Sequence, residues 1–238
     1  HDTWDLDFAG DLYIVGLDAS IRAVTGHKGM NHDGRCSPDG RSIAFVGIDD
    51  SEVYPQNARI GLTALDGGDH RWLTSALDRT FEGSFGTQAP MWVDDHTVLS
   101  IAEDRGETHI YRVTTDGAAP QRLTSGPITV KALDAAGGVV AYTACTVDEV
   151  ADVFVLAGDG PRRLTSFAAA YTASAAPRGW ERFAVPCADG SAEIDGWIMR
   201  PADFDAARSY PVLLNVHGGP HTQYSETMLA FVTRLLEA

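Results

Sequence analysis

The residues best suited to chemistry lie near the C-terminus, in Tyr210-Pro-Val-Leu-Leu-Asn-Val-His-Gly-Gly-Pro-His221. A run of strand formers at 212–216 stops abruptly at His217-Gly218-Gly219-Pro220. Residues 212–214 are continuously apolar, which suits a strand buried on both faces of a parallel sheet. Two glycines directly after such a strand make a tight turn and leave bare backbone N–H groups at its C-terminal edge, where open α/β sheets hold ligands. Donors placed there can meet an oxygen that gains charge during a reaction. The plainer reading of the same residues is a strand followed by a Gly-Pro turn. The elements upstream must decide between the two.

Composition narrows the field. The chain has 238 residues, enough for one large domain or parts of two. No run approaches the ~18 to 20 apolar residues of a membrane span, so no membrane partner is expected. The opening His1-Asp-Thr-Trp-Asp-Leu-Asp7 is acidic and lacks the basic and apolar regions of a signal peptide. A net charge of −15 would repel phosphate, which argues against nucleic acid as a partner. The acidic residues are scattered and read as a solvated surface. Cys36, Cys145 and Cys187 are odd in number, far apart and without C-x-x-C spacing, so neither a metal nor a redox pair is expected. That cysteine usage points to a reducing, cytoplasmic setting. Nothing in the sequence calls for a cofactor.

Internal repetition is the strongest organising signal. A signature ending in threonine recurs as Arg22-Ala-Val-Thr25, Arg71-Trp-Leu-Thr74, Arg122-Leu-Thr124 and Arg163-Leu-Thr165, with the threonines 49, 50 and 41 residues apart. An alternating strand precedes each copy, starting at Asp11, Arg59, His109 and Asp152, and three of the four run into Asp-Gly, a pair that favours type I′ hairpins. A second strand pattern falls between these landmarks, clearest in Ser37-Pro-Asp-Gly-Arg-Ser-Ile-Ala-Phe-Val46, with weaker copies at 91–100 and 132–142. About four short strands per 40 to 50 residues is the arithmetic of a propeller blade. Three complete blades are expected, at roughly 30–74, 80–124 and 128–165, preceded by the tail of another. A β-sandwich with regular turns would explain the strands but not their recurring order.

The pattern lapses at 167–179, a small-residue stretch closed by Pro177 and Gly179 that reads as a linker. Beyond it, 181–186 and 193–198 flank Asp189-Gly190 as a hairpin, and a polar loop at 202–209 leads into the glycine-loop strand. Ser225 is placed to cap a helix whose apolar face carries Met228, Leu229, Val232, Leu235 and Leu236. Strand, loop and helix in that order make the opening of an α/β layer. The expected fold class is therefore mainly β, a partial β-propeller followed by the beginning of an α/β-hydrolase domain, divided as 1–166, the 167–179 linker and 180–238.

Blades carrying Ser37-Pro-Asp-Gly-Arg41, then Gly196-Trp-Ile-Met-Arg-Pro201, then the segment ending in His217-Gly-Gly-Pro-His221 together resemble the prolyl oligopeptidase family of serine peptidases, nearest its acylaminoacyl-peptidase-like branch. The resemblance covers essentially the whole chain. The blade repeats are shared with TolB-like propellers, whereas 189–224 is specific in position and content. The resemblance implies a propeller that caps an α/β-hydrolase and screens out large folded substrates, while a Ser-Asp-His triad cleaves short peptides through an acyl-enzyme. It places one oxyanion-hole donor on the backbone N–H of Gly219, with Gly218 and His217 shaping the loop. His217 is not read as the catalytic base, because in α/β-hydrolases the base follows the nucleophile in the chain. His221 reads as a loop residue, and His70 and His109 fall in blade strands or turns.

The departure from the family is the missing nucleophile. No G-x-S-x-G occurs, and Gly83-Ser84-Phe85-Gly86 has the wrong spacing within a propeller segment. The chain is expected to be an internal portion of a larger peptidase, beginning mid-propeller and ending before nucleophile, acid and base. By itself it is expected to lack triad hydrolysis, and its open sheet edges and incomplete hydrolase layer to make it poorly stable in isolation. Two other classes fit part of the pattern: a TolB-like binding propeller without chemistry, and an esterase with the same oxyanion loop. The first has no reason to continue into 181–224, and the second usually lacks the propeller.

Overall fold

The computed structural model describes residues 8–26, 28–53, 55–82, 88–158, 160–167, 169, 170, 173, 179–201, 203–219, 222–225 and 227. Its strands are arranged as antiparallel meanders. The first complete meander is β3 (Met30–Cys36), β4 (Ser42–Ile48), β5 (Arg59–Ala64) and β6 (Arg71–Trp72), paired in that order after β1 (Tyr13–Val15) and β2 (Ile21–Ala23). The second is β7 (Met91–Asp94), β8 (Thr97–Asp104), β9 (Glu107–Thr114) and β10 (Gln121–Arg122). The third is β11 (Thr129–Ala136), β12 (Val139–Cys145), β13 (Asp152–Ala157) and β14 (Gly160–Arg163).

The second and third meanders join into one hydrogen-bonded sheet through a single parallel pair, Thr108 with Thr129. Gly10 and Met30 make the equivalent parallel bridge from the β1–β2 hairpin to β3. That hairpin therefore stands where the third and fourth strands of a preceding meander would be. The first strands gather together, β7 touching both β3 and β11, and the Trp92 indole N–H donates to the Arg35 carbonyl at 2.9 Å. Four-stranded units whose first strands cluster around a common line form a propeller, as the repeats imply.

Strand alternation builds the core between blades. On β8, Val98 and Ala102 face the first blade while Leu99, between them, faces the third. On β9, Tyr111 and Val113 point one way and Ile110 the other. Each middle blade thus feeds two cores from one period-2 pattern. The first core adds Ala44, Val46, Ile48, Ile60, Leu73 and Phe81, and the second adds Val130, Leu133, Tyr142 and Ala144. On the opposite face of β4, the buried Phe45 ring lies across Gly61 of β5, where a Cβ would come within 2.3 Å of the ring. Only glycine fits there.

The recurring threonine has a specific task. Leu73, Leu123 and Leu164 donate their N–H to the carbonyls of Ile60, Ile110 and Val153 at 2.7, 2.8 and 2.8 Å. In a regular antiparallel pair the partner carbonyl would accept in return. Here the side-chain oxygens of Thr74, Thr124 and Thr165 accept the N–H of Ile60, Ile110 and Val153 instead, at 3.1, 3.1 and 2.9 Å. Thr25 does the same for Leu12 at 3.0 Å. The hydroxyl donates in turn to the carboxylate of the residue preceding the bound N–H: Thr25 to Asp11 Oδ1 at 3.2 Å, and Thr165 to Asp152 Oδ1 at 2.5 Å. In the second blade His109 takes the aspartate's place. Its Nδ1 accepts from Thr124 at 3.1 Å while its Nε2–H donates to Glu107 at 2.7 Å, because Thr124 is already an acceptor and a carboxylate can only accept.

Two expectations change. Neither Asp66 nor Asp116 has positive φ, so the Asp-Gly pairs at 66–67 and 116–117 do not form type I′ turns. The connection from β9 to β10 is longer than two residues, and Asp116 accepts from Thr114 Oγ1 and Ala118 N–H while Gly117 alone turns left-handed, at φ 85°. The paired positive φ values of a type I′ turn fall instead on Arg105-Gly106, at 51° and 86°, and on Gly137-Gly138, at 57° and 78°. The second change concerns 212–216, which forms no strand. Val212 and Leu214 are 91% and 82% exposed in an extended segment. A parallel strand needs ladder partners on both sides and cover on both faces, and no described residue supplies them.

After the blades, β15 (Glu181–Pro186) and β16 (Glu193–Ile198) form the expected hairpin. Its turn copies Ser37-Pro-Asp-Gly-Arg41: Asp189 accepts the Ser191 N–H and Gly190 takes φ 70°, as Asp39 accepts the Arg41 N–H beside Gly40 at φ 69°. Phe183 again lies across a partner glycine, Gly196. Most of the 167–179 linker, the helix expected after Ser225, and Gly83-Ser84-Phe85-Gly86 lie outside the described residues, as does the acidic opening 1–7.

Removing the Thr74 hydroxyl should orphan the buried Ile60 N–H. Thr74→Val is expected to lower stability in urea unfolding by about 1–3 kcal/mol, with Thr74→Ser close to wild type. Asp152 gives a pH signature. Burial opposes its charge, but the bonds from Thr165, Arg163 and the Phe167 N–H outweigh that and hold its carboxyl at about 2, against 3.8. Its folded value lies below its unfolded one, so its contribution is full above 3.8 and is lost as pH falls toward about 2. Asp152→Asn should flatten the decline in thermal midpoint across that window; an unchanged slope would contradict this.

Candidate active site

The Gly218–Gly219 peptide unit is the centre of the site. Its carbonyl accepts two hydrogen bonds, from Thr222 Oγ1 at 2.8 Å and from the His217 ring at 2.8 Å. A carbonyl can only accept, so Nδ1 of His217 carries the proton. Thr222 Oγ1 also lies 3.3 Å from that Nδ1, and the ring stands edge-on to Tyr224, 5.9 Å between centroids. Because the peptide is planar and trans, fixing the Gly218 carbonyl fixes the Gly219 N–H on its far side. Gly219 sits at φ 133°, where a side chain is strained, whereas a Cβ on Gly218 would meet nothing within 4 Å. The loop is exposed.

The blades hold the neighbouring residues. The β8–β9 turn reaches this part of the chain, and its Gly106 N–H donates to Gln223 Oε1 at 2.9 Å. Gln223 Nε2 reaches the Glu107 carbonyl at 3.5 Å. Arg105, at the tip of the turn, grips Asp195 of β16 with both Nε and Nη2 at 2.9 Å, and Arg182 of β15 adds a third contact at 3.1 Å. The hydrogen bonds from Arg105 first, and then those from Arg182, hold the Asp195 carboxyl below its ordinary value. Gly106 packs so closely on Trp197 that a Cβ would come within 2.4 Å of the indole. Farther along, Cys145 Sγ at the end of β12 lies 3.3 Å from Thr227 Oγ1.

Of the residues singled out from sequence, the structure brings His217, Gly218 and Gly219 into one loop. Pro220 and His221 lie outside the described residues. His70 packs edge-on to Phe45 and Trp72 within the first blade, and His109 is buried in the threonine network of the second. Cys36, Cys145 and Cys187 are free thiols. Among the described residues, no group of three His, Cys, Asp or Glu side chains could hold a metal ion. Sequence reasoning missed Thr222, Gln223, Arg105 and Asp195. Arg105-Gly106 between Asp104 and Glu107 was the readable signal, a two-residue turn with a cation at its tip.

No family model matches the chain. It is 29% identical over 147 residues to the uncharacterized peptidase YuxL of Bacillus subtilis, covering 59% of this chain and 22% of that protein. It is 23% identical over 228 residues to a probable dipeptidyl-peptidase 5 of Emericella nidulans, covering 88% of this chain and 30% of the relative. The structure superposes on Pyrococcus horikoshii acylaminoacyl peptidase with a TM-score of 0.74 at 18% identity, over 95% of this chain and 33% of the other. The chain is related in sequence to peptidases and shares the fold of acylaminoacyl peptidase. A puromycin hydrolase of the same architecture superposes with a TM-score of 0.67 at 18% identity, over 96% of this chain and 36% of the other. The chain spans a third or less of the length of the curated peptidases it matches. The structural likeness carries the propeller fold, and the chemistry rests on the loop.

The loop's two glycines should respond differently to substitution. Gly218→Ala is expected to leave the amide resonances of 217–224 in place, while Gly219→Ala should shift them through a changed backbone. Equal effects would remove the special status of Gly219.

Proposed function

We propose that this stretch belongs to a serine peptidase that hydrolyses short peptides or acylated peptides through a Ser-Asp-His acyl-enzyme. One observation carries the reading: a Gly-Gly peptide unit pinned through its carbonyl sits beside a propeller, in a chain whose relatives are peptidases. In this role Gly219 donates its N–H to the oxyanion of the tetrahedral intermediate, and Gly218 and His217 shape the loop. A donor must lie near 3 Å from that oxygen, and losing one costs about 10²–10³ in kcat. The propeller at 1–166 caps the site and restricts entry to short chains, 167–179 links it, and 180–238 opens the hydrolase domain. A cytoplasmic location accompanies this reading.

The 238 residues contain no G-x-S-x-G, so the nucleophile, and with it the acid and base, are supplied from elsewhere in the parent polypeptide. An oxyanion donor without a nucleophile does not perform covalent hydrolysis. Treating this chain and its parent polypeptide with a fluorophosphonate probe separates the claims. The 238-residue chain should remain unlabelled, and the parent should be labelled at a single serine and cleave a short chromogenic peptide. Labelling of the short chain would overturn the division of residues, and a parent that neither labels nor cleaves would overturn the peptidase reading.

A further inference from the structure

We propose that the propeller orients the oxyanion donor through Gln223, making Gln223 and the Arg105-Gly106 turn positioning elements for the Gly219 N–H. The inference rests on the oxyanion reading for its purpose, but its physical content is a mechanical coupling that can be tested without activity. The path is short and made of directional bonds. The β8–β9 turn holds the side chain of Gln223 by its acceptor and its donor, through the Gly106 N–H and the Glu107 carbonyl. Gln223 is bonded covalently to Thr222. The Thr222 hydroxyl donates to the Gly218 carbonyl, which shares a rigid peptide unit with the Gly219 N–H. Displacement of the turn therefore moves the donor with no intervening soft torsion except those of Thr222 and Gln223.

The turn itself is built to be stiff. Arg105 is a non-glycine residue at φ 51°, and together with Gly106 at 86° it closes a two-residue hairpin whose flanking pair is Asp104 and Glu107. A type I′ turn of this kind continues the strand twist, so its tip has little freedom relative to β8 and β9. Gly106 admits no side chain against Trp197, which brings the turn's backbone within hydrogen-bonding reach of Gln223. The fork of Arg105 on Asp195 fixes direction as well as distance, since two parallel N–H bonds to one carboxylate define a plane. Asp195 lies on β16, so the turn is referenced to the hairpin and to the loop at the same time. The exposed extended segment at 211–217 pairs with no described strand, so blade contacts beyond it, at Gln223 and Thr227, hold its far end.

Backbone ¹⁵N relaxation of the 238-residue chain tests the coupling. The Gly219 amide should have an order parameter near the rigid value of about 0.85, falling below about 0.6 in Gln223→Ala, while the amides of the third blade keep theirs. Arg105→Ala acts from the propeller side without altering the loop's own chain and should lower the Gly219 value in the same direction. Thr222→Val cuts the path next to the loop and should reproduce the Gln223→Ala value if that variant does not fold. An unchanged Gly219 order parameter in the folded variants would overturn the proposal. So would a wild-type Gly219 amide already as mobile as in the variants. Failure of the parent polypeptide to label with fluorophosphonate would remove the catalytic purpose and leave the coupling to be decided by relaxation alone.

Discussion

The structure depends on a substitution made four times: a threonine hydroxyl standing in for a backbone carbonyl. An antiparallel pair normally exchanges two hydrogen bonds, and a chain that leaves the sheet after making one would strand a buried N–H. Thr25, Thr74, Thr124 and Thr165 accept that N–H with their side chains, so the backbone can peel away toward the next blade at the same residue. This is why β6 and β10 are only two residues long and yet end cleanly. The freed chain then reaches the next blade's first strand, and parallel bridges at Gly10–Met30 and Thr108–Thr129 mark two of the junctions between neighbouring units. Blade geometry, and so the direction in which each hairpin points, follows from these exits.

With the blades set, the β8–β9 hairpin becomes the part that reaches the glycine-loop segment. Its strands are among the longest in the chain and carry buried side chains toward both neighbouring blades, which fixes the hairpin between two cores. β9 also carries His109, whose ring joins the capping Thr124 to the Glu107 side chain, while the Glu107 carbonyl meets Gln223. Arg79 and Arg122 approach Asp104 and Glu107 on this hairpin, balancing the acids that flank the turn. Packing in the propeller is thereby converted into the placement of a loop more than a hundred residues away in sequence.

How much of this the sequence discloses depends on whether an interaction is local in the chain. The threonine signature and strand alternation were readable because each repeats, and repetition separates signal from accident. The glycine loop was readable because His217-Gly-Gly-Pro220 is contiguous. The strand at 212–216 was misjudged because apolar character reports a preference for burial, while a strand also needs partners, and these residues have none among those described. The Asp-Gly turns were misjudged because the pair favours type I′ only when the loop is two residues long, and here the fourth strand starts later. Arg105–Asp195 and Gly106–Gln223 were invisible because their partners are separated by 90 and 117 residues and nothing local in either sequence names the other.

The character of those long-range contacts bears on what they are for. Arg105 is about half exposed, and ion pairs reaching solvent add little to stability because water and salt compete for both charges. A junction selected for strength alone would bury apolar surface, which stabilises in proportion to area but is indifferent to direction. This junction is polar, forked and bidentate at both of its grips, and it closes on a glycine whose missing side chain admits Trp197. Such contacts fix angles. An oxyanion donor depends on angle and distance more than on binding energy, since it works only where charge develops. In the proposed role, angular control is what the propeller contributes to the His217-Gly218-Gly219 loop, through bonds that add little to the fold itself.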